Sequence, residues 1–172
     1  MGDEVFFDPG EVIISKTDLK GRITYANRSF CNIAGYELKE LMGEPHNLIR
    51  HEDMPRAVFK LLWDTLDAGN EVFAYVKNAT KSGGFYWVFA HVTPTFGADG
   101  GVIGYHSSRR CPNRDLITST IEPLYRQLVA IEQKPANRKE GLEASSEHLS
   151  SVVSTHARTY AEFIFKLTHA AA

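Results

Sequence analysis

The sequence contains little cysteine, no long hydrophobic run and no excess of basic charge. Its two cysteines, Cys31 and Cys111, lie far apart and show neither CxxC nor another metal-ligand spacing. This pattern indicates reduced thiols in an intracellular protein. Lysine and arginine number 19 against 21 aspartate and glutamate, which gives a formal net charge of −2. The chain therefore lacks the positive field with which proteins bind nucleic acid, and we expect no nucleic-acid partner.

Signals of membrane insertion and of catalysis are also missing. No apolar stretch reaches the length of a membrane span, and the N-terminus lacks the basic start and apolar core of a signal peptide. A cytoplasmic protein without direct membrane insertion is therefore expected. The chain has no HExxH, no GxGxxG and no Ser/His/Asp or Cys/His order with a supporting motif. We expect no enzymatic activity, no catalytic residue and no metal site.

The patterning that is present predicts an α+β fold. At 172 residues, of which 43% are hydrophobic, the chain is long enough for one domain with a real core plus extensions. Two strands, several short helices and three hairpin-linked strands follow one another, which favours a five-stranded antiparallel sheet with short helices on one face. The strands are expected at 12–15, 22–26, 72–78, 85–96 and 102–109, and the helices at 27–34, 36–42 and 53–68.

Two further helices are predicted after the last strand. They occupy 113–133 and 142–170, separated by the Lys134-Pro135-Ala136-Asn137 break. The apolar stripe of the second helix must cover a surface, either its own sheet or a sister chain, or alternatively a signalling partner. The expected organisation is a lead-in at 1–11, a sensor domain at 12–111 and a helical extension at 112–172.

A polar stretch at 44–55 suggests a binding site. Arg50 and His51 precede a helix that Asp53 can cap and whose first turn Pro55 suits. Backbone N–H groups, the positive end of the helix dipole and a forked guanidinium would meet there. Such a site fits an anion such as a phosphate.

Alternation along the strands separates a bulky face from a small one. Trp87 and Phe89 fall on the aromatic face, and Val88 and Ala90 fall on the other. The volume beside small side chains must be filled by packing or by a ligand. A buried amide at Asn78 on the small face needs a partner, which favours the ligand.

The chain resembles a PAS domain, and within that superfamily the flavin-binding PAS domain of bacterial aerotaxis receptors. The resemblance covers roughly 12–128 and is most specific in the string His-Asn-x-x-Arg-His-x-Asp-Met-Pro at 46–55. It implies a noncovalently bound FAD whose redox state reports respiratory status to a methyl-accepting chemotaxis receptor. It further implies a homodimer, which is associated with the membrane through its receptor partner. Further matching stretches are Ile23-Thr24-Tyr25-Ala26-Asn27, Val76-Lys77-Asn78, Tyr86-Trp87-Val88 and Glu122-Pro123-Leu124-Tyr125.

The resemblance also implies site residues. Arg50 suits a pyrophosphate, and His51 can donate to phosphate or stack on adenine. Asp53 either accepts from a ribose hydroxyl or caps the helix, and Trp63 either flanks the flavin ring or belongs to the core. By register with flavin-binding light sensors, His106 would reach the ring edge. The complete expected set is Asn27, Arg50, His51, Asp53, Phe59, Trp63, Asn78 and His106.

The sequence departs from the family pattern at two places, and two alternatives to an FAD site stay open. Glu52 stands where the family has Pro, and Glu71-Val72 stands where it has Pro-Trp, which removes a stacking surface for the cofactor. One alternative is a haem-binding gas sensor, for which His46, His91 and His106 are candidate ligands. The other is a cofactor-free PAS module for dimerisation or docking.

A relay follows as a hypothesis. On flavin reduction Asn78 or His106 would rotate or change protonation, and the aromatic face around Trp87 and Phe89 would transmit the change.

Overall fold

A computed structural model describes residues 2–170 and confirms the predicted fold class. The first half contains β1 (Ile13–Thr17), β2 (Ile23–Ala26), α1 (Arg28–Ala34), α2 (Leu38–Leu41), a 3₁₀ helix (His46–Ile49) and α3 (Arg56–Asp67). The second half contains β3 (Val72–Ala79), β4 (Phe85–Phe96), β5 (Val102–Arg110), α4 (Arg114–Leu116), a π-helical turn (Ile117–Ile121), α5 (Glu122–Gln133), α6 (Arg138–His156) and α7 (Tyr160–Ala170).

The chain forms two compact units. We call the first, Met1–His51 with Leu66–Cys111, the sheet unit. The second, Glu52–Thr65 with the chain from Pro112 onward, is the helical unit. Most of α3 thus groups with the C-terminal helices, although α3 precedes β3 in the chain. The domain boundaries expected at residues 11 and 111 stay a prediction.

The sheet has the strand order β2-β1-β5-β4-β3, and all neighbouring strands are antiparallel. Hairpins connect β3 to β4 and β4 to β5, as the Gly-rich turns predict. The chain enters β3 at the opposite edge from β2, so the intervening helices belong to the crossover. This connection carries the polar stretch at 44–55.

Strand register defines the two sheet faces. Ala90 pairs with Ala74 on one side and with Arg109 on the other, so these three residues share the face that we call the inner face. Asn78 and Tyr86, a directly opposed pair, lie on it too. The outer face is aromatic: Phe73 stacks on His91 with 4.2 Å between ring centroids, and the buried Lys77 ammonium lies 4.0 Å from the centre of the Phe85 ring. The predicted division into a small and a bulky face is confirmed.

Local signals explain the first helices. The Asn27 side chain accepts from the Phe30 N–H at 3.0 Å and so caps α1. Gly35 ends α1 with φ +75°, a left-handed conformation that glycine adopts without strain. The following helix begins with a capping box between Glu37 and Glu40.

Helix α3 begins at Arg56 rather than near Asp53. Pro55 explains the difference, because the residue before a proline is disfavoured in the helical conformation and Met54 therefore stays outside the helix. The predicted helix at 113–133 is also interrupted. A π-helical turn ends at Ile121, two residues before Pro123, whose missing N–H cannot continue an ordinary ladder.

The single helix predicted at 142–170 is wrong. Helix α6 already begins at Arg138 and ends before Ala157, which is extended with φ −156° and ψ 166°. Thr159 then starts α7: its hydroxyl accepts from the Glu162 N–H at 3.1 Å, while the Glu162 carboxylate accepts from the Arg158 N–H at 2.9 Å. These capping bonds compete with continued helix and set the break.

Candidate ligand site

The backbone of the polar stretch joins the sheet at the inner-face amide. Arg50 forms an antiparallel bridge with Asn78 and donates its own N–H to the Asn47 carbonyl at 3.0 Å. The Arg50 side chain is exposed, and the half-buried His51 ring meets the Phe85 ring edge-on, with 5.7 Å between centroids. The structure therefore brings the backbones of two expected residues together, Arg50 and Asn78, whereas the His51 ring lies against Phe85 of the outer face.

The centre of the inner face holds a buried guanidinium. Arg109 is 2% exposed and lies with its guanidinium carbon 4.6 Å from the centre of the Phe30 ring. Its Nη2 donates to the Ser15 hydroxyl, and the Ser15 oxygen lies 3.0 Å from Nε2 of His46. The Nε and Nη1 groups of Arg109 have no hydrogen-bond partner among residues 2–170.

No acidic side chain in the described part of the chain forms an ion pair with Arg109. Burial lowers its pKa to about 10, and the Tyr86 hydroxyl opposes that shift. A buried cation that lacks both a carboxylate and two hydrogen-bond acceptors is costly, by several kcal/mol per ion after relaxation. An acceptor-rich or anionic ligand would remove this cost.

His46 is held neutral beside this cation. Burial and then the Arg109 charge lower the His46 pKa to about 3. Because the Ser15 oxygen accepts from Arg109, its own hydrogen is free to be donated to Nε2 of His46, and we assign the Nδ1–H tautomer on that ground. The sequence reasoning placed His46 among possible haem ligands, whereas in the structure its Nε2 is engaged with Ser15.

A second polar atom on the inner face is only partly satisfied. The Tyr86 side chain is fully buried, and its hydroxyl has no hydrogen bond of ordinary geometry to a described residue. Burial raises the pKa of Tyr86, and both Arg109 and the Asn78 side chain oppose that rise. The Asn78 side chain acts on the pKa through a hydrogen-bonding contact with the hydroxyl, although the geometry of that contact is poor. Arg109, Tyr86 and Asn78 together present polar groups beside the small side chains Ala74 and Ala90.

Asn27 has a structural task in the sheet unit. Its side-chain oxygen accepts from the N–H groups of Ile14 and Phe30, and its side-chain nitrogen donates to the Val12 carbonyl at 2.7 Å. The residue thereby ties α1 to β1. Its expected contact with the cofactor stays a prediction.

His106 lies on the outer face, which corrects the expectation that it faces the same ligand as Asn78. The β1–β5 register pairs it with Lys16, three residues away from the inner-face Arg109. Since side chains alternate, His106 points away from the face that carries Asn78. Burial, Lys16 and His91 lower its pKa.

The remaining expected residues belong to the helical unit. Asp53 is half-buried ahead of α3, and the half-buried Phe59 lies on that helix. Trp63 is 39% exposed, so the alternative of a core tryptophan is wrong. Their contact with a cofactor stays a prediction.

Sequence reasoning missed Arg109, Ser15 and Tyr86 as candidates. One signal was available: Arg109 falls at a position whose alternation matches the small-sided residues, and a charged residue there is unusual for a covered face. Its partners were not predictable, because Ser15 lies 94 residues away along the chain.

The fold and the inner-face polar cluster define a sensor domain of the PAS class. The family model for the PAS fold matches residues 23–109, half of the chain, and the chain belongs to that family. It is 43% identical to the aerotaxis receptor of Escherichia coli (strain K12) over 118 residues, which make up 69% of this chain and 23% of the receptor. The predicted resemblance is thereby confirmed.

A second relative is the nitrogen fixation regulatory protein of Klebsiella pneumoniae, 31% identical over 103 residues, or 60% of this chain and 21% of that protein. The matched region thus spans less than a quarter of either curated relative. Among solved structures, the dark state of the blue-light photoreceptor Aureochrome1 LOV superposes with a TM-score of 0.55 at 22% identity, covering 70% of this chain and 86% of that one. This likeness shows the fold.

Within residues 2–170, no helix combines the length and the hydropathy needed to cross a bilayer. The same residues contain no group of three His, Cys, Asp or Glu side chains arranged to hold a metal ion.

Proposed function

We propose that this PAS domain binds FAD noncovalently and acts as a redox sensor in aerotaxis signalling. The observation that carries the proposal is the buried Arg109 guanidinium, with Nε and Nη1 unpaired among the described residues and no carboxylate beside it. A bound flavin would supply reversible electron transfer. The relatives' names, an aerotaxis receptor and a nitrogen fixation regulator, support a sensory role.

The residues present fit a flavin ring system. An isoalloxazine edge offers carbonyl oxygens and ring nitrogens, which accept hydrogen bonds from a guanidinium and a phenol. Asn78 offers both a donor and an acceptor, so it can rotate to satisfy a ring nitrogen in either protonation state. Ala74 and Ala90 have small side chains, so they leave room for a ring system on the neighbouring part of the inner face.

The diphosphate would be held by the polar stretch. The Arg50 guanidinium is exposed, and its backbone is tied to Asn78 by the strand bridge. A fixed cation with a forked donor suits a pyrophosphate, and His51 adds a further donor. The parts given to Asn27, Asp53, Phe59 and Trp63 depend on the resemblance.

Val72 is one of the departures from the family pattern. It is 3% exposed and lies on the inner face opposite Val92, where the family has Trp. A valine there supplies no stacking surface, so hydrogen bonds from Arg109 and Tyr86 carry more of the affinity.

The signalling partner proposed is a methyl-accepting chemotaxis receptor or its signalling region, reached by a cytoplasmic homodimer. The role is non-enzymatic. Support comes from the similarity to the aerotaxis receptor, of which this chain matches 23%.

A visible spectrum with cofactor identification tests the proposal. Freshly purified protein is expected to show flavin bands and to release FAD, identified by chromatography and mass. Protein that lacks bound flavin is then titrated with FAD and with FMN. A haem spectrum would establish the gas-sensor alternative, and colourless protein that takes up no FAD would establish the cofactor-free module.

A further inference from the structure

A buried carboxylate in the helical unit joins three helices. Glu132, on α5, is 9% exposed. Its Oε1 accepts from the Ala57 N–H at 3.0 Å and from the Ser145 hydroxyl at 3.0 Å. Its Oε2 accepts from Nε of Arg56 at 3.0 Å. Helix α5 is thereby bonded to the start of α3 and to the middle of α6.

The same place shows a close approach of backbones. A Cβ added at Gly141 of α6 would lie 2.3 Å from the Glu132 carbonyl oxygen, so only glycine fits there. The Arg56 side chain reaches the first residue of α6 as well, because its Nη1 donates to the Arg138 carbonyl at 2.8 Å. The three helices are therefore held in one arrangement around Glu132.

Glu132, although it lies on α5, also caps the N-terminus of α3. The Ala57 N–H lies in the first turn of α3, where backbone donors have no intrahelical partner. A carboxylate at this end satisfies the donor and interacts favourably with the helix dipole. Three hydrogen bonds, one of them from a guanidinium, compensate the buried charge.

Helix α3 is a natural route for a signal. It carries Phe59 and Trp63, and its first residue, Arg56, follows Arg50 and His51 within one short stretch of chain. A ligand that fixes Arg50 and His51 therefore restrains the segment that leads into the first turn of α3. Glu132 of α5 holds the same first turn through its bonds to Arg56 and Ala57.

We propose that Glu132 is a positioning residue that couples FAD binding at the inner-face ligand site to the arrangement of α5 and α6. The inference depends on the proposed function, since the ligand is FAD. Coupling is reciprocal: FAD strengthens the Glu132 contacts, and those contacts raise the affinity for FAD by the same factor. The linker at 134–137 joins α5 to α6, so a change in their arrangement is expected to alter its hydrogen exchange.

The test compares Glu132→Gln with Glu143→Gln, a control at an exposed site on α6. Hydrogen exchange of peptides covering 56–62 and 134–141 is measured with FAD bound and removed, and FAD affinity is measured by flavin fluorescence quenching. In the wild type and the control, FAD is expected to slow exchange in both peptides about tenfold. In Glu132→Gln the ratio falls to about one and the Kd rises about tenfold, within the usual range of coupling factors.

Three outcomes overturn the coupling. Wild-type protein that binds FAD without any change in exchange at 134–141 removes it and leaves the proposed function standing. Glu132→Gln that lowers Tm but keeps the tenfold exchange ratio shows a structural role alone. Wild-type protein that takes up no FAD overturns the proposed function and the coupling with it. Ser145→Ala, which removes one of the two bonds to Oε1, serves as a milder second variant and is expected to give an intermediate ratio.

Discussion

The Arg109 guanidinium donates to the hydroxyl of Ser15 across the inner face, and this bond orients the whole cation. The serine in turn contacts His46, so one short chain of hydrogen bonds links β5, β1 and the 3₁₀ helix. Arg109 keeps Nε and Nη1 for another acceptor. The orientation of this cation is the basis of the first prediction.

Replacing Arg109 by methionine is expected to weaken FAD binding at least tenfold, because two charge-assisted hydrogen bonds are lost at about 1.5–3 kcal/mol each. Arg110→Met is the matched control, since Arg110 is the next residue on β5 and is exposed. Fluorescence quenching gives both affinities. The Tm of the flavin-free Arg109→Met variant should not fall below that of flavin-free wild type, because removing a buried cation that has no carboxylate partner is neutral or stabilising. Equal affinities for both variants would contradict the site.

The free energy of unfolding should decrease in acid because His46 is held neutral in the folded protein. Its folded pKa, about 3, lies below the ordinary value of 6.5, so the unfolded chain binds one more proton between these two pH values. Stability is therefore expected to decrease as pH falls from 6.5 towards 3, with a slope of at most about 1.4 kcal/mol per pH unit from this group. Urea unfolding at several pH values measures the slope. In His46→Gln this component should vanish, and parallel curves for the two proteins would refute the assignment.

Asn78 and His106 should behave differently toward FAD because they lie on opposite sheet faces. Asn78→Leu is expected to raise the Kd at least about fivefold, since an amide that bonds a ring edge contributes about 1 kcal/mol. His106→Leu should leave the Kd within a factor of two. The same titration reads both. A larger effect at His106 would mean that the outer face takes part in binding.

Gly141→Ala should destabilise the protein by more than about 2 kcal/mol. Alanine usually favours a helix over glycine by about 1 kcal/mol, so the opposite sign reports the contact with the Glu132 carbonyl, 2.3 Å from the added Cβ. Ser150→Ala, at an exposed position of α6, is the control and should be neutral or slightly stabilising. Thermal unfolding of both variants decides, and a stabilised Gly141→Ala would show that α5 and α6 can move apart.

Periodicity and local chemistry in the sequence were sufficient for the elements. Alternation predicted five strands and their two unlike faces, and the Asn27 cap with Gly35 bounded the first helix as observed. The break before α7 had a local signal too, the Thr159-x-x-Glu162 capping pair, which an apolar stripe across the break obscured. These features depend on neighbours within a few residues, which is why a sequence contains them.

The sequence by itself therefore determined the PAS fold class and the absence of basic or catalytic motifs, and it predicted an anion site around Arg50, which stays a prediction. Only the tertiary structure decided which polar groups share a face. Strand register turned His106 outward and Arg109 inward, and helix packing converted Glu132, an ordinary acidic residue near a helix end, into a buried acceptor of three hydrogen bonds. The physical reason is that burial and partnership of a polar side chain depend on groups distant in the chain, and no local pattern encodes them.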